Sequence, residues 1–598
     1  MTPSRTLRAL LLATLSLVAG VAFSQGLPVV YGEPARVEKA LPEAKLRIAP
    51  KVAARVVKLP PVTDAEVEKV RAQNARSAGA TGAHVNLKRV AIGVERELET
   101  TAAVASAELD WTPVEGGRAA RLSVTSPEAP ALRVALDLLD VPTDMEMVFF
   151  GSMAPDKLFG PYRVGDIADR TQAWWSPFTP GETLTVEFFE AHRAREAGSD
   201  PRIASVAHLF TDPSKRASNK RLQDIGSSGS CNVDVPCSSL HSSAAFLNAA
   251  SSVAQMVFND SRFTYLCTGT LLNDTDSSTQ KPWFFSANHC FDDETAPRTP
   301  AQMQAVANTL TTLWFFEAAA CGSSQVNPNW QQVGGGATYI YSNAQSDALL
   351  IRLNNAPPAG AFYSGWDANP VVAGTSDLDL SHPQGDLKKA TQGSIVGFSR
   401  WDSTSNANQY IRSLWSSGTT EGGSSGSSLF TLSGSQYVVR GGLRGGDASC
   451  STPSGTDLFS RFDQIYPFIS QYLSAASTIT PIANVSSLWW IPSESGWGLN
   501  IVHHNGTNIV FATWYTYGQD GKGTWLVMTD GRWTTSRTFS GTLYQASGPA
   551  FDGPFDPNQV ALVAVGTGTL TLSDANNGTW SWTANGLSGT KNVTRFAF

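Results

Sequence analysis

The feature that most constrains this chain is where its six cysteines fall. Cys231, Cys237, Cys267, Cys290, Cys321 and Cys450 all lie in one window of a 598-residue sequence. An even count confined to one region reads as a disulfide framework, provided the chain leaves the reducing cytoplasm. The N-terminus points that way. Arg5 and Arg8 precede an apolar stretch from Ala9 to Phe23, and the small residues Ala22 and Ser24 suit cleavage before Gln25. The apolar run is short for a membrane span, and no other run of spanning length follows. Residues 1–24 therefore read as a signal peptide rather than a retained anchor. The protein is expected to be secreted, outside the cell or into a periplasm, with no membrane span after signal removal. Six cysteines permit 15 pairings, among which sequence alone does not choose. Zinc binding is the rival use of cysteine, but no Cys-x-x-Cys or His-Glu-x-x-His occurs. No metal and no cofactor is expected.

The cysteine window also divides the chain, which is too long for one hydrophobic core. Residues 25–225 carry no cysteine. An Ala/Glu/Lys/Arg stretch from Asp64 to Arg76 predicts a helix, and the alternating segments Leu132–Leu136 and Leu184–Phe188 predict strands. Residues 211–230 turn basic, then small, as in a protease-accessible linker. Residues 226–472 show short strand-like runs, such as Thr268–Leu272, Ala348–Leu353 and Tyr437–Arg440, separated by Gly, Ser and Asn; the pattern is all-β, sandwich or barrel. A second linker covers 473–487. Residues 488–598 hold 8 of the 17 tryptophans and read as a small β domain. Its aromatics form either a binding platform or a core, and packing arguments favour the core. The net charge of −7 and the lack of a long basic run give no footprint for a nucleic-acid partner.

Three segments of the cysteine window carry chemistry together. An apolar strand ends in Ser286-Ala287-Asn288-His289-Cys290, presenting one imidazole. Ser346-Asp347-Ala348-Leu349-Leu350 places a carboxylate at the head of a buried strand. Gly422-Gly423-Ser424-Ser425-Gly426-Ser427 can project a hydroxyl. A serine hydroxyl needs a base to become a nucleophile, histidine is suited to that near neutral pH, and a buried carboxylate fixes its tautomer. Glycine beside the serine lets backbone N–H groups converge on an oxyanion, here those of Gly423 and Ser425. Taken singly, a histidine beside cysteine is more often structural and a Gly/Ser run is usually a loop. The order His, Asp, Ser inside the window is that of chymotrypsin-type proteases. The same glycine-rich segment also fits G-x-S-x-G with Ser424 as nucleophile of an α/β-hydrolase. Those enzymes run Ser, Asp, His, and the only histidines after Ser424 are His503 and His504, beyond the second linker.

Taken in order, Gly229–Cys237, Cys267–Leu271, Ala287–Cys290, Ser346–Leu350, Thr420–Ser427 and Ser449–Ser451 resemble the bacterial lysyl endopeptidase family, trypsin-like serine proteases secreted as prepro forms. The resemblance spans about residues 226–465. It implies a mainly β architecture: a chymotrypsin-like double β-barrel protease domain after an α+β N-terminal propeptide, with a C-terminal all-β domain beyond. It implies the triad His289, Asp347 and Ser425, and the disulfides Cys231–Cys450, Cys237–Cys321 and Cys267–Cys290. It also implies that Asp457 is the acidic residue at the base of the pocket that receives a basic side chain. Trp401 is the candidate for the family's pocket aromatic. Two departures stand out. Arg444 occupies the place before Gly445-Gly446 where the family carries histidine. Ser424 stands where animal trypsins carry the aspartate that pairs with the new N-terminus, so activation by that ion pair cannot operate.

The function expected is a monomeric serine endopeptidase acting on protein or peptide substrates, cutting after Lys, with Arg as the other basic candidate. Its propeptide is expected to serve as folding aid and inhibitor. Lys220 and Arg221, or a point nearer Gly226, are the candidate maturation sites. The alternatives are a non-catalytic secreted binding protein on a protease scaffold and the Ser424 esterase.

Overall fold

The computed structural model describes residues 27–36, 43–48, 54–77, 86–98, 109–191, 200–215, 226–276, 278–292, 297–402, 406–474, 479–504, 506, 508–550, 552–553 and 560–597. The signal peptide and the candidate maturation sites Lys220 and Arg221 lie outside the described residues. No described helix is long and apolar enough to cross a membrane.

The cysteine window folds as two barrel-like sheets. In the first, antiparallel strands Val253–Asn259 and Phe263–Leu272 pair with each other, the former also with Thr311–Trp314 and the latter with Trp283–Ser286. Strand Ala348–Leu353 then pairs Trp283–Ser286 with Ala337–Asn343. Every residue of Phe263–Leu272 is buried, because both faces of this strand are covered. In the second, Ser428–Ser433, Ser376–Ser381, Lys389–Ser399, Tyr410–Ser417 and Thr456–Phe459 follow one another, and Gln436–Gly446 closes the ring by pairing with both ends. Helix Phe462–Leu473 packs its apolar face against the join.

The N-terminal region is built largely of strands. One sheet runs Ala154–Arg163, Glu146–Gly151, Thr183–Ala191, Gly117–Thr125 and Arg55–Lys58, the last pairing in parallel. Helix Asp64–Ser77 starts with a reciprocal cap: the Glu66 carboxylate accepts from the Thr63 N–H at 2.8 Å, and Thr63 Oγ1 accepts from the Glu66 N–H. Val67 and Val70 are buried on its inner face. The other sheet is not confined to this region. Ala131–Asp137 pairs with Arg202–Leu209, which pairs with Val90–Glu97, which pairs in turn with protease strand Phe263–Leu272. One hydrogen-bonded sheet of twelve strands therefore crosses from the N-terminal region into the first barrel. Val90, Ala91, Ile92 and Val94 are buried in the common core; burying a Val or Ile side chain stabilises by about 1.5–3 kcal/mol. Val29–Val30 likewise pairs with Gly365–Asp367 of the protease.

Strands from Ser487–Trp490 to Leu587–Arg595 close an eight-stranded C-terminal barrel. Trp489, Trp514, Trp533 and Trp580 are buried in its core, whereas Trp525 is 51% exposed. Packing accounts for half of the eight rings, as a barrel too narrow for a channel requires.

Three disulfides, Cys231–Cys450, Cys237–Cys321 and Cys267–Cys290, tie the window together. The last ties the single turn Asn288–Phe291 to strand Phe263–Leu272. Replacing Cys267 and Cys290 by alanine should cost about 2–4 kcal/mol of stability and lower activity by loosening His289; denaturant unfolding and turnover measure both. Inside the second barrel, burial pushes the carboxyls of Asp377 and Asp379 up to about 7. Asp379 Oδ1 accepts a 2.5 Å hydrogen bond from Ser427 Oγ, under the glycine-rich loop. An acid whose pKa is raised on folding loses its stabilising effect as pH rises from about 4 through about 7. Asp379→Asn should therefore flatten part of the fall in melting temperature over that range, measured in a Ser425→Ala chain to prevent autolysis.

Candidate active site

The two barrels meet where the three chemical segments converge. His289 lies in the turn after strand Trp283–Ser286, and Asp347 in the tight connection that leads into Ala348–Leu353. Asp347 has φ of +52°, a left-handed conformation that Asp tolerates better than most residues. Its carboxylate accepts twice from one residue: Oδ1 from the His289 backbone N–H at 3.0 Å, and Oδ2 from His289 Nδ1 at 2.8 Å. With Nδ1–H committed to Asp347, Nε2 is left to accept the Ser425 hydroxyl, 2.6 Å away. All three side chains are buried.

Ser425 reaches the imidazole from the second barrel, on the loop before Ser428–Ser433. Gly423 holds φ of +94°, and a Cβ there would lie 2.6 Å from the His382 carbonyl oxygen, so only glycine fits without strain. Thr268, on the first barrel, donates from its hydroxyl to the Gly423 carbonyl at 2.9 Å and from its N–H to the Ser425 carbonyl at 2.8 Å. The turned loop aims the N–H groups of Gly423 and Ser425 at one point. That point is occupied: both donate to the carbonyl oxygen of Lys88, at 2.5 and 3.1 Å.

The side chain of Lys88 runs into a closed pocket. Its ammonium lies 2.6 Å from Asp457 Oδ1, 2.6 Å from Thr420 Oγ1, 3.0 Å from the Thr420 carbonyl and 3.1 Å from the Ala448 carbonyl. Asp457 Oδ2 is taken by Trp415 Nε1–H at 2.7 Å and the Thr420 hydroxyl at 2.6 Å. A Cβ on Gly446 would lie 2.1 Å from Asp457 Oδ1, so the pocket wall has room only for glycine. Beside the pocket, Leu87 and Asn86 pair antiparallel with Gly445 and Gly446. Lys88 thus sits as an extended peptide does when its carbonyl is offered to a serine nucleophile.

The other residues singled out from sequence lie on the far side of the triad. Arg444 Nη1 is 3.6 Å from Asp347 Oδ2, and its guanidinium lies 4.0 Å from the centroid of the Trp401 ring. Among the described contacts, Arg444 and Trp401 meet each other and not Lys88. The ring that touches the pocket carboxylate is Trp415, which sequence reasoning passed over. Strand pairing sets it: Tyr410–Ser417 lies against Thr456–Phe459, with Ser413 opposite Asp457. The segment Gly226–Ser230 is more than a spacer. Gly226 N–H donates to the Gln384 carbonyl, Ser228 to Asp386, and Gly229 N–H to Glu421, which adjoins the nucleophile loop. Ser424 Oγ, the alternative nucleophile, lies 3.3 Å from the Glu421 N–H and accepts from it.

The sequence matches known protein families. The family model for the lysyl endopeptidase C-terminal domain matches residues 225–460, and that for the lysyl endopeptidase N-terminal domain matches residues 58–210. A lysyl endopeptidase of Pseudomonas aeruginosa is 36% identical over 380 residues, covering 61% of this chain and 78% of the relative. Both family matches end before the C-terminal barrel begins. With two domain models in sequence and a relative covered over most of its length, the chain belongs to the bacterial lysyl endopeptidase family of serine endopeptidases.

Proposed function

We propose that this protein is a secreted endopeptidase that hydrolyses peptide bonds on the carboxyl side of lysine through the triad His289, Asp347 and Ser425. Ser425 Oγ attacks the substrate carbonyl as His289 Nε2 takes its proton. Asp347 steadies the imidazolium, and the N–H groups of Gly423 and Ser425 hold the oxyanion. His289 then returns the proton to the leaving amine, and water releases the Ser425 acyl-enzyme by the same route. All of these groups belong to one chain, and the working unit we propose is a monomer. The unit extends over residues 226–472, preceded by a signal peptide (1–24) and a propeptide (25–225) that aids folding and blocks the site. A linker (473–487) leads to the barrel at 488–598.

The observation that carries the reading is the seat of Lys88, with its ammonium on Asp457 while its carbonyl meets the two amide donors. The pocket also favours Lys over Arg. A guanidinium pairs best with two free oxygens in a fork, whereas an ammonium is a point charge with three donors. Asp457 offers one oxygen, because Trp415 and Thr420 hold the other. A non-catalytic binding role would have no use for the hydrogen-bonded line from Asp347 through His289 to Ser425. An esterase based on Ser424 would need a base near that hydroxyl, which instead contacts the Glu421 amide.

Digestion of a mixed peptide library by the processed protein should give cuts after Lys in large excess over Arg. Ser425→Ala should abolish them with secretion and melting temperature retained. Asp457→Asn should lower kcat/KM for lysyl substrates at least 100-fold, matching the loss of a buried charge-assisted hydrogen bond worth about 3 kcal/mol or more. Cuts that persist in Ser425→Ala, or a library profile without basic preference, would refute the proposal.

A further inference from the structure

We infer that Lys88–Arg89 is the reactive bond of a substrate-like inhibitor built into the N-terminal region, one the enzyme can open and reseal without releasing itself. The inference rests on the triad and pocket roles proposed above. It goes beyond them by naming the residue that blocks the site and the reason blocking persists.

A bound substrate is held firmly before the cleaved bond and leaves readily after it. Here both sides are held. Before the bond, Asn86 and Leu87 pair with Gly446 and Gly445, and Lys88 fills the pocket. After it, Arg89 Nη1 donates to the carbonyls of His289 and Asp292 at 2.7 and 2.8 Å, and its guanidinium lies 4.7 Å from the centroid of the Tyr265 ring. Both Lys88 and Arg89 are buried. From Val90 the chain becomes a full strand of the first barrel's sheet, with Val90 opposite Leu266 and Ala91 opposite Tyr265. Asn74, on helix Asp64–Ser77, locks Ala91 by accepting from its N–H at 2.7 Å and donating to its carbonyl at 2.9 Å. The far edge of the same strand is paired with Arg202–Leu209.

This arrangement changes the fate of the acyl-enzyme. Ser425 Oγ adds to the Lys88 carbonyl carbon and its proton passes to His289. The bond from that carbon to the Arg89 nitrogen then breaks as His289 returns the proton to that nitrogen. The products are a Lys88 ester on Ser425 and an Arg89 amine. In an ordinary substrate the amine diffuses away and water enters. Here the amine is tied to a strand hydrogen-bonded on both edges, so it stays beside the ester at high effective concentration and re-adds. When water does add, the resulting Lys88 carboxylate still faces the same amine, and the reverse reaction restores the amide. Inhibition therefore survives cleavage of its own bond, and release requires loss of the segments that hold strand Val90–Glu97 in place.

The test uses the full chain carrying Lys215→Gln, Arg216→Gln, Lys220→Gln and Arg221→Gln, which removes the basic residues of the linker, with intact mass confirming that the N-terminal region stays joined to the protease. A fluorophosphonate probe should label Ser425 slowly in this chain, and at least 100-fold faster when Lys88→Glu is added, with the melting temperature checked alongside. A second measurement needs no change at Lys88. After incubation in ¹⁸O-water, the intact chain should carry ¹⁸O in the Lys88 carbonyl, read by peptide mass spectrometry. Labelling of Lys88→Glu no faster than its parent overturns the inference, and absence of ¹⁸O from Lys88 overturns its claim that the bond reforms after hydrolysis. In either case, hydrolysis of a lysyl reporter by the processed native chain keeps the active-site reading intact. If the processed chain cannot hydrolyse that reporter, both the reading and this inference fall.

Discussion

A carboxylate with no access to water must be matched by charge or by hydrogen bonds, and the pocket of this protein is organised around that requirement. Asp457 is fully buried. Trp415 and Thr420 satisfy one of its oxygens, and the Lys88 ammonium satisfies the other. The surrounding pieces follow from this. Gly446 leaves space beside the second oxygen, the Thr420 and Ala448 carbonyls complete the ammonium's shell, and strand Gln436–Gly446 supplies the edge along which the peptide lies. Lys88 fits there because it brings one compact charge on a long apolar stem. Its backbone carbonyl is thereby delivered to the amides of Gly423 and Ser425.

The hydrogen-bonded line from Asp347 through His289 to Ser425 depends on a different constraint, the meeting of two sheets with separate cores. His289 and Asp347 come from the first and Ser425 from the second. Thr268 spans the gap by bonding to the backbone of Gly423 and Ser425, and Cys267–Cys290 holds the histidine turn to the same strand. Strand Phe263–Leu272 therefore serves three purposes. It anchors the His289 turn, supports the loop that carries Ser425, and pairs along its outer edge with Val90–Glu97. Through that pairing the N-terminal region supplies a buried neighbour to the strand that also holds the His289 turn and the Ser425 loop.

Much of this was legible in the sequence, and the limits have physical causes. His289, Asp347 and Ser425 each sit in a short motif that is weak by itself, and it is their order inside the cysteine window that points to the chemistry. Strand and helix signals were local: the periodicity of Asp64–Arg76 and the alternation of Leu184–Phe188 correspond to helix Asp64–Ser77 and strand Thr183–Ala191. Disulfide pairing was not local, and only family resemblance chose among the possibilities. The place of Trp415 was equally hidden, since which ring reaches a carboxylate depends on strand register. Lys88 gave no signal. It is one of many lysines, and its significance comes from an acceptor 369 residues further along the chain. Its neighbours held a hint in retrospect, a basic pair followed by the apolar run Val90-Ala91-Ile92.

The central claim is that one lysine side chain and one carbonyl are read at the same time, by Asp457 and by the Gly423 and Ser425 amides, in front of an activated Ser425. A crystal structure of the processed protein with a peptide ending in lysine aldehyde tests this directly. The account predicts a bond from Ser425 Oγ to the aldehyde carbon, the resulting oxygen on the amides of Gly423 and Ser425, and the ammonium on Asp457. An adduct on any other side chain, or an ammonium lodged away from Asp457, would contradict it.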